Sequence, residues 1–205
     1  TNNGTINLSA GNMSNGGGTL INNGTISKTT AGAFGIDLIW SNAGTINVLA
    51  GTLNNASIGG RNFTNTGTIS ISSGAIFDNS GNYNYNGGNI TGTGNFNQTN
   101  GSLTLNAALT IPASLIFTHT GGTTSGAGTL TITDFTLSNG TINGPGILIL
   151  NGTTNWVNGT INRNFTIAAG NTLNIAATYT QLLGGTLTNN GTINLSAGNM
   201  SNGGG

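Results

Sequence analysis

The chain contains no cysteine and almost no charge. Its 205 residues include three lysine or arginine residues and three aspartates, and no glutamate. The absence of cysteine excludes disulfides and thiolate metal sites. Charged residues make up 3% of the chain, against about a quarter of a typical soluble domain. Because nucleic acids and anionic membranes are recognised by clustered lysine and arginine, we expect neither of them as a partner.

Long hydrophobic runs and helix signals are missing as well. The aliphatic run at residues 147–150 is far too short to cross a bilayer, which needs about 20 apolar residues, so we expect no membrane insertion. No apolar stripe with a helical period occurs, and glycine and β-branched residues are spread throughout the chain. These absences predict an all-β chain.

The first eighteen residues return unchanged later in the chain. Residues 1–18 and residues 188–205 have the same sequence, at an offset of 187 residues. Chance does not produce such an identity, and self-similarity of this kind is typical of repeat architectures. We therefore interpret residues 1–187 as one full tandem-repeat unit of a longer array, and residues 188–205 as the start of the next identical repeat.

A shorter period lies inside the long one. The triplet Gly-Thr-Ile begins at residues 4, 24, 44 and 67, and apolar and polar residues alternate after it, as they do in a half-buried strand. Asn-Gly pairs in front of many triplets indicate sharp turns. Short strands could also form a sandwich or a barrel, but the regular recurrence favours a right-handed parallel β-helix (solenoid) with about 20 residues per coil. Such a unit has about nine coils and a length of about 45 Å.

Stacked coils predict ladders of like residues. Isoleucine and leucine fill a continuous core, and buried or corner asparagines and threonines bond to their copies in the next coil. Five aromatic residues recur at intervals of 18 to 21 and are predicted to form one stack, with separate core positions as the alternative: Phe77, Phe96, Phe117, Phe135 and Trp156. Pro112 and Pro145 are expected at corners. The less regular residues 81–126 are interpreted as variation in coil length.

The repeat motifs resemble a known group of proteins. Asn-Asn-Gly-Thr-Ile-Asn-Leu (residues 2–8), Gly-Ala-Gly-Thr-Leu-Thr-Ile (126–132) and Gly-Asn-Thr-Leu-Asn-Ile (170–175) are similar to repeats of large secreted bacterial adhesins, of the filamentous-haemagglutinin-like and autotransporter-passenger β-helix type. The resemblance implies export across an outer membrane, an extracellular or outer-cell-surface location, and a role as a stalk, adhesin or matrix fibre.

The predicted function is structural. We expect a segment of a long extracellular bacterial fibre or adhesin stalk that mediates surface attachment or matrix and cell–cell contact, including biofilm matrix. The expected partners are the chain itself, through end-to-end continuation of the array and fibre assembly at uncapped strand edges, and host or cell-surface glycans.

A carbohydrate-active β-helix enzyme, a lyase or a hydrolase, is the main alternative. Such chemistry needs converging carboxylates or a cation site, whereas Asp37, Asp78 and Asp134 are 41 and 56 residues apart. That spacing predicts axial separations of about 10 Å or more. We therefore predict no enzyme activity, no catalytic residue, no cofactor and no metal site, and we expect His119 at a plain surface or ladder position.

An ice-binding solenoid is a further alternative. It would present a flat Thr-x-Thr array on one face. Pairs such as Thr129 with Thr131 and Thr178 with Thr180 occur, but they do not recur in each coil. The sequence therefore disfavours this function.

Two smaller expectations concern the polar residues. Sequons are abundant, and some adhesins of the resembling class carry Asn-linked sugars, so eight asparagines are candidate glycosylation sites: Asn3, Asn23, Asn62, Asn139, Asn151, Asn158, Asn164 and Asn190. Arg61 and Arg163 each precede an Asn-Phe unit, which predicts a repeated structural element. Since few groups titrate, stability is expected to be nearly flat from about pH 4 to pH 9.

Overall fold

The computed structural model of the chain is a parallel β-solenoid of about nine turns. It describes the backbone of residues 1–176, 179–182, 185–197 and 199–202, and the side chains of these residues except 15, 16, 179–182 and 199–202. All regular structure in these ranges is β-strand, so the predicted all-β solenoid is confirmed.

The strands are numbered in chain order. They are β1 (Thr5–Leu8), β2 (Gly11–Asn22), β3 (Thr25–Lys28), β4 (Ala33–Asn42), β5 (Thr45–Val48), β6 (Thr52–Asn55), β7 (Phe63–Asn65), β8 (Thr68–Ile71), β9 (Ile76–Asn79), β10 (Asn82–Tyr85), β11 (Asn89–Gly92), β12 (Asn95–Gln98), β13 (Ser102–Leu105), β14 (Leu109–Ile111), β15 (Ile116–His119), β16 (Thr123–Ser125), β17 (Leu130–Ile132), β18 (Phe135–Leu137), β19 (Thr141–Asn143), β20 (Leu148–Leu150), β21 (Thr153–Trp156), β22 (Thr160–Asn162), β23 (Phe165–Ile167), β24 (Thr172–Ile175), β25 (Tyr179–Leu182), β26 (Leu187–Asn189), β27 (Thr192–Leu195) and β28 (Asn199–Asn202).

Each turn contributes one strand segment to each of three faces, which the chain visits in a fixed order. Face 1 holds two parallel ladders, β1-β3-β5-β8-β11 and β14-β17-β20-β23-β26. Face 2 consists of the first halves of β2 and β4 and then β6, β9, β12, β15, β18, β21, β24 and β27. Face 3 consists of the second halves of β2 and β4 and then β7, β10, β13, β16, β19, β22, β25 and β28. Because β2 and β4 run through the corner, faces 2 and 3 form one 18-stranded sheet.

The glycine of the Gly-Thr-Ile triplet is required by the corner between face 3 and face 1. A Cβ on Gly24 would lie 2.2 Å from the carbonyl oxygen of Gly4, and a Cβ on Gly44 would lie 2.1 Å from that of Gly24. Real Cβ atoms do not approach backbone this closely, so only glycine permits successive corners to stack at the strand spacing of about 4.8 Å. The triplet therefore marks a stacking contact as well as a turn.

Alternation along each strand separates core from surface. In β5, for example, Ile46 and Val48 are fully buried, whereas Thr45 and Asn47 face outward. Equivalent isoleucines pair from turn to turn, as Ile26 does with Ile46. The buried residues form one hydrophobic cluster that runs the length of the solenoid. Full burial of each such side chain contributes about 1.5–3 kcal/mol, so stability is built up turn by turn.

The predicted aromatic stack exists in part. Phe77, Phe96, Phe117 and Phe135 lie in register on face 2, with ring centroids 5.8, 5.0 and 5.4 Å apart. Trp156 is not a member, because Thr154 takes this row in the next turn. The indole instead contacts Phe165 edge-on, at 6.3 Å between ring centroids.

Buried asparagines form two hydrogen-bonded ladders, as predicted for stacked coils. On face 3, Asn22 donates to Asn42 at 2.6 Å and Asn42 donates to Asn65 at 2.8 Å. On face 2, Asn55 donates to Asn79, and Asn79 donates to Gln98, both at 2.6 Å. All these side chains are buried. Each amide thus supplies the partner that its neighbour needs away from water.

The irregular middle of the chain does not separate two domains. Faces 2 and 3 continue through it without interruption, while the ladder of face 1 is interrupted between β11 and β14. Pro112 follows β14 in a turn, and Pro145 lies in the bend before β20, so both prolines occupy corners as predicted.

Candidate functional site

The outer surface of the solenoid consists largely of rows of small uncharged polar side chains. On face 2, Asn194 donates to Asn174 at 2.9 Å and Asn174 donates to Asn155 at 3.1 Å. On face 3, Ser102 donates to Asn82 at 3.2 Å. These groups bond along the axis and also retain capacity for water or a hydroxylated partner.

Face 1 carries a row of threonines that sequence reasoning missed. Thr5, Thr25, Thr45 and Thr68 are in register in four successive turns and face outward. A search for Thr-x-Thr pairs within one coil does not find this row, because the row follows the second residue of each Gly-Thr-Ile triplet through the stack. The residues two positions further on are asparagine or serine, at positions 7, 27, 47 and 70, so the neighbouring row is not threonine.

The eight sequon asparagines lie around the corners of the solenoid. Seven are exposed and Asn62 is partly buried. Asn23 donates to Asn3 at 3.2 Å, and the side chain of Asn164 accepts a bond from the backbone N–H of Thr186 at 2.9 Å. Glycosylation at these positions stays a prediction.

His119 occupies a ladder position inside the solenoid. It is fully buried on face 2, in register with Gln98 on one side and Leu137 on the other. Its Nδ1 lies 2.9 Å from the carbonyl oxygen of Asn139, and its Nε2 lies 3.1 Å from Oγ1 of Thr124. Burial lowers the pKa of His119 from 6.5 to about 4, and the hydrogen bond to Asn139 opposes this only partly. The imidazole is therefore neutral at pH 7.

The aspartates do not converge. Asp37 lies in β4, Asp78 in β9 and Asp134 beside β18, so they are separated by two and three turns, which is about 10 Å and 14 Å along the axis. A retaining glycosidase needs its two carboxyls about 5 Å apart. In the described part of the chain no three histidine, aspartate or glutamate side chains are grouped so that they could hold a metal ion.

Each aspartate has its own local setting. Asp37 forms a two-pronged ion pair with Arg61, with both N–O distances at 2.8 Å. Oδ1 of Asp134 accepts a bond from the backbone N–H of Thr153 at 2.7 Å. Burial raises the pKa of the Asp78 carboxyl, and its Oδ1 has no hydrogen-bond partner among the described residues.

The two arginines have different roles, so the predicted repeated Arg-Asn-Phe element is wrong. Arg61 is partly exposed and pairs with Asp37, whereas Arg163 is 2% exposed. Its Nε donates to the carbonyl of Gly146 at 2.8 Å, and its Nη2 donates to that of Gly128 at 2.9 Å. Burial lowers the pKa of the Arg163 guanidinium. This group satisfies corner carbonyls within the fold and does not face a ligand.

Lys28 is the second buried cation. It is fully buried on face 1 in register with Leu8 and Val48. Its Nζ donates to the backbone carbonyl and hydroxyl of Thr30 and lies 3.4 Å from the carbonyl of Ala50. Burial lowers the pKa of its ammonium group. Like Arg163, Lys28 serves as an internal cap for backbone carbonyls.

Two shallow hollows interrupt the surface. One, of about 290 Å³, lies on face 2 and is lined by Ile116, Asp134 and Thr153 among others; Asp134 is its single charged group. The other, of about 270 Å³, lies at the ladder interruption of face 1 and includes Asn89 and Thr110. Neither brings together a pair of groups that could exchange a proton with a substrate.

No family model, no curated protein and no solved structure matches the chain. Across the described residues, no helix is both long enough and apolar enough to span a membrane.

Proposed function

We propose that the chain is a spacer segment of a long extracellular bacterial fibre or adhesin stalk, in which it provides length and an uncharged polar surface. The observation that carries this proposal is the stack of about nine turns within a sequence that begins again after 187 residues. A rod built from repeats that contact only their neighbours lengthens without new contacts, because each turn supplies the template for the next.

The surface supports the same proposal. Three basic and three acidic residues, of which Arg163 and Lys28 are buried and Arg61 is paired with Asp37, leave almost no free charge on the rod. Contacts through such a surface depend on hydrogen bonds of asparagine, threonine and serine, and these are affected little by salt. A stalk of this kind suits attachment to hydroxyl-rich partners such as cell-surface glycans and matrix.

Location and salt response test this proposal together. Antibodies raised against the chain, used for immunogold labelling of intact cells that produce it, are expected to label fibres outside the cell. Surface attachment of those cells is expected to change little between low salt and about 0.5 M salt. Label confined to the cell interior, or attachment abolished by salt, would contradict the proposal.

Ice binding is a second candidate, supported by the row Thr5, Thr25, Thr45 and Thr68 on face 1. An ice-binding chain is expected to inhibit ice recrystallisation, and Thr45→Tyr, which places a bulky group in the middle of the row, is expected to abolish the effect. Thr104→Tyr, on face 3, is the matched control. Wild-type protein without inhibition excludes this function and leaves the spacer role intact.

A further inference from the structure

Identical sequences in this chain lie on different faces of the solenoid. Thr5–Leu8 forms β1 on face 1, where it pairs with β3. Its copy, Thr192–Leu195, forms β27 on face 2, where it pairs with β24. The same four residues, Thr-Ile-Asn-Leu, thus occupy two faces of one molecule.

The neighbouring segments shift in the same direction. Asn2 bridges Asn22 on face 3, whereas its copy Asn189 ends β26 on face 1. The segment after β1 begins β2 on face 2, whereas the segment after β27 forms β28 on face 3. Three consecutive segments therefore each advance by one face, from 3 to 1, from 1 to 2 and from 2 to 3.

Corner contacts follow the same shift. Gly4 lies at the corner that leads into face 1, where its carbonyl oxygen receives the close approach of Gly24. Its copy Gly191 lies at the corner that leads into face 2, and a Cβ there would be 2.3 Å from the carbonyl oxygen of Asn171. The corner between faces 1 and 2 thus demands glycine for the same reason as the corner between faces 3 and 1.

The two faces are chemically equivalent for this sequence. In β1, Ile6 stacks with Ile26 and Asn7 with Ser27. In β27, Ile193 stacks with Leu173 and Asn194 with Asn174. On both faces the aliphatic side chain meets an aliphatic one inside, and the amide meets a small polar group outside, so the same strand fits either site.

We propose that each 187-residue repeat advances the solenoid by nine turns plus one face. Equivalent residues of successive repeats then lie on successive faces and return to the same face only after three repeats, or about 135 Å along the axis. The partner surface above β26 and β27 is accordingly the next copy of this sequence, with the copy of Thr25–Lys28 on β27 and the copy of Asn22 on Asn189. This inference rests on the tandem array in the proposed function and adds its rotational register.

The register distributes every surface feature of the repeat over all three faces. The Arg61–Asp37 ion pair and the hollow beside Ile116 recur about every 45 Å, each time on the next face. A long array consequently presents the same set of groups in three directions, and no side of the fibre is distinct. This arrangement suits a fibre that contacts partners all around its axis.

Cysteine cross-linking of the 205-residue chain tests the register, since the chain has no cysteine of its own. The variant Asn174→Cys with Asn194→Cys links two register partners on face 2. The variant Thr166→Cys with Asn194→Cys links positions that would be neighbours if the copy had stayed on face 1. Register partners in adjacent strands are within the usual reach of a disulfide. The variant Asn155→Cys with Asn174→Cys, whose positions are partners inside the repeat, is the positive control.

The proposal predicts disulfide formation under mild oxidation in the control and in the Asn174/Asn194 variant, and at least tenfold less in the Thr166/Asn194 variant. If the control links while the Asn174/Asn194 variant does not, or if the Thr166/Asn194 variant links as well as the control, the proposed register is wrong. This readout is independent of cellular location, so a failure of the stalk function would leave it unchanged.

Discussion

Arg163 occupies a corner position that glycine holds in neighbouring turns, and its Nη2 atom donates a 2.9 Å hydrogen bond to the carbonyl of Gly128, two turns away. The side chain runs along the axis past Gly146, whose carbonyl binds Nε at 2.8 Å. The path is open because the corner glycines carry no side chain. A buried cation thus supports the corner without a carboxylate partner among the described residues.

The variant Gly146→Ala is expected to destabilise the chain by about 1–3 kcal/mol, the usual cost of overpacking. Its new Cβ would lie 2.1 Å from Nη2 of Arg163 and 2.3 Å from the carbonyl oxygen of Gly128. The free energy of unfolding in denaturant measures the loss. Gly4→Ala is the matched control, because nothing lies within 4 Å of its Cβ. Equal stability of the two variants would contradict the stacked corner.

The variant Asn42→Ala is expected to cost about 2–4 kcal/mol. Asn42 is 1% exposed, and its removal leaves the side-chain amide of Asn22 and the side-chain oxygen of Asn65 without these partners, besides a small cavity. Asn174→Ala removes a similar ladder residue from the outer surface and is expected to cost less than about 1 kcal/mol. A cost as large for Asn174→Ala as for Asn42→Ala would show that burial is not what gives the ladder its weight.

Two buried threonines predict opposite effects of the same substitution. Oγ1 of Thr154 is buried without a hydrogen-bond partner among the described residues, so Thr154→Val is expected to raise the free energy of unfolding by up to about 1 kcal/mol. Oγ1 of Thr124 lies 3.1 Å from Nε2 of His119, so Thr124→Val is expected to lower it by about 1–3 kcal/mol. Thermal unfolding of both variants gives the comparison, and a shift in the same direction for both would refute it.

His119 introduces a pH dependence that composition did not predict. Its pKa is about 4 in the folded chain and 6.5 without burial, so between these values the unfolded chain binds a proton that the folded chain does not. Stability is therefore full above about pH 6.5 and decreases by about 3 kcal/mol as the pH falls to 4. The expectation of flat stability down to pH 4 is wrong in this window.

The variant His119→Gln introduces the residue that Gln98 supplies at the same ladder position one turn below. It is expected to abolish most of that slope in denaturant titrations from pH 7 to pH 4. Asp78 remains in both proteins as a common background. Because burial raises its pKa, its contribution has the opposite sign and is lost as the pH rises through its folded pKa. A variant that retains the full slope would assign the pH dependence to another group.

The fold was predictable because its signals are periodic. The spacing of the Gly-Thr-Ile triplets and the alternation within strands predicted stacked coils, and four of the five proposed aromatic residues do stack. Trp156 was misplaced because the count followed residues along the chain, whereas the row follows strand register, which brings Thr154 onto Phe135. Strand register depends on the lengths of the turns, and those lengths vary between 17 and 23 residues on face 1.

The interior polar residues were harder to predict. The alternation Phe117-Thr118-His119 places His119 on the same side as a buried phenylalanine, so a signal for its burial was present in the sequence. Arg163 gave no such signal, since its burial depends on glycines 17 and 35 residues away. The shift of the repeat by one face was also hidden, because the sum of variable turn lengths, and not their mean, decides on which face residue 192 falls.

Cryo-electron imaging of the native assembled material tests the central claim, that this chain is one unit of a stacked β-solenoid fibre. The account predicts an axial spacing of about 4.8 Å and a repeat of about 45 Å along the fibre. Compact particles without the 4.8 Å spacing, or a fibre whose axial repeat is unrelated to about nine turns, would contradict it.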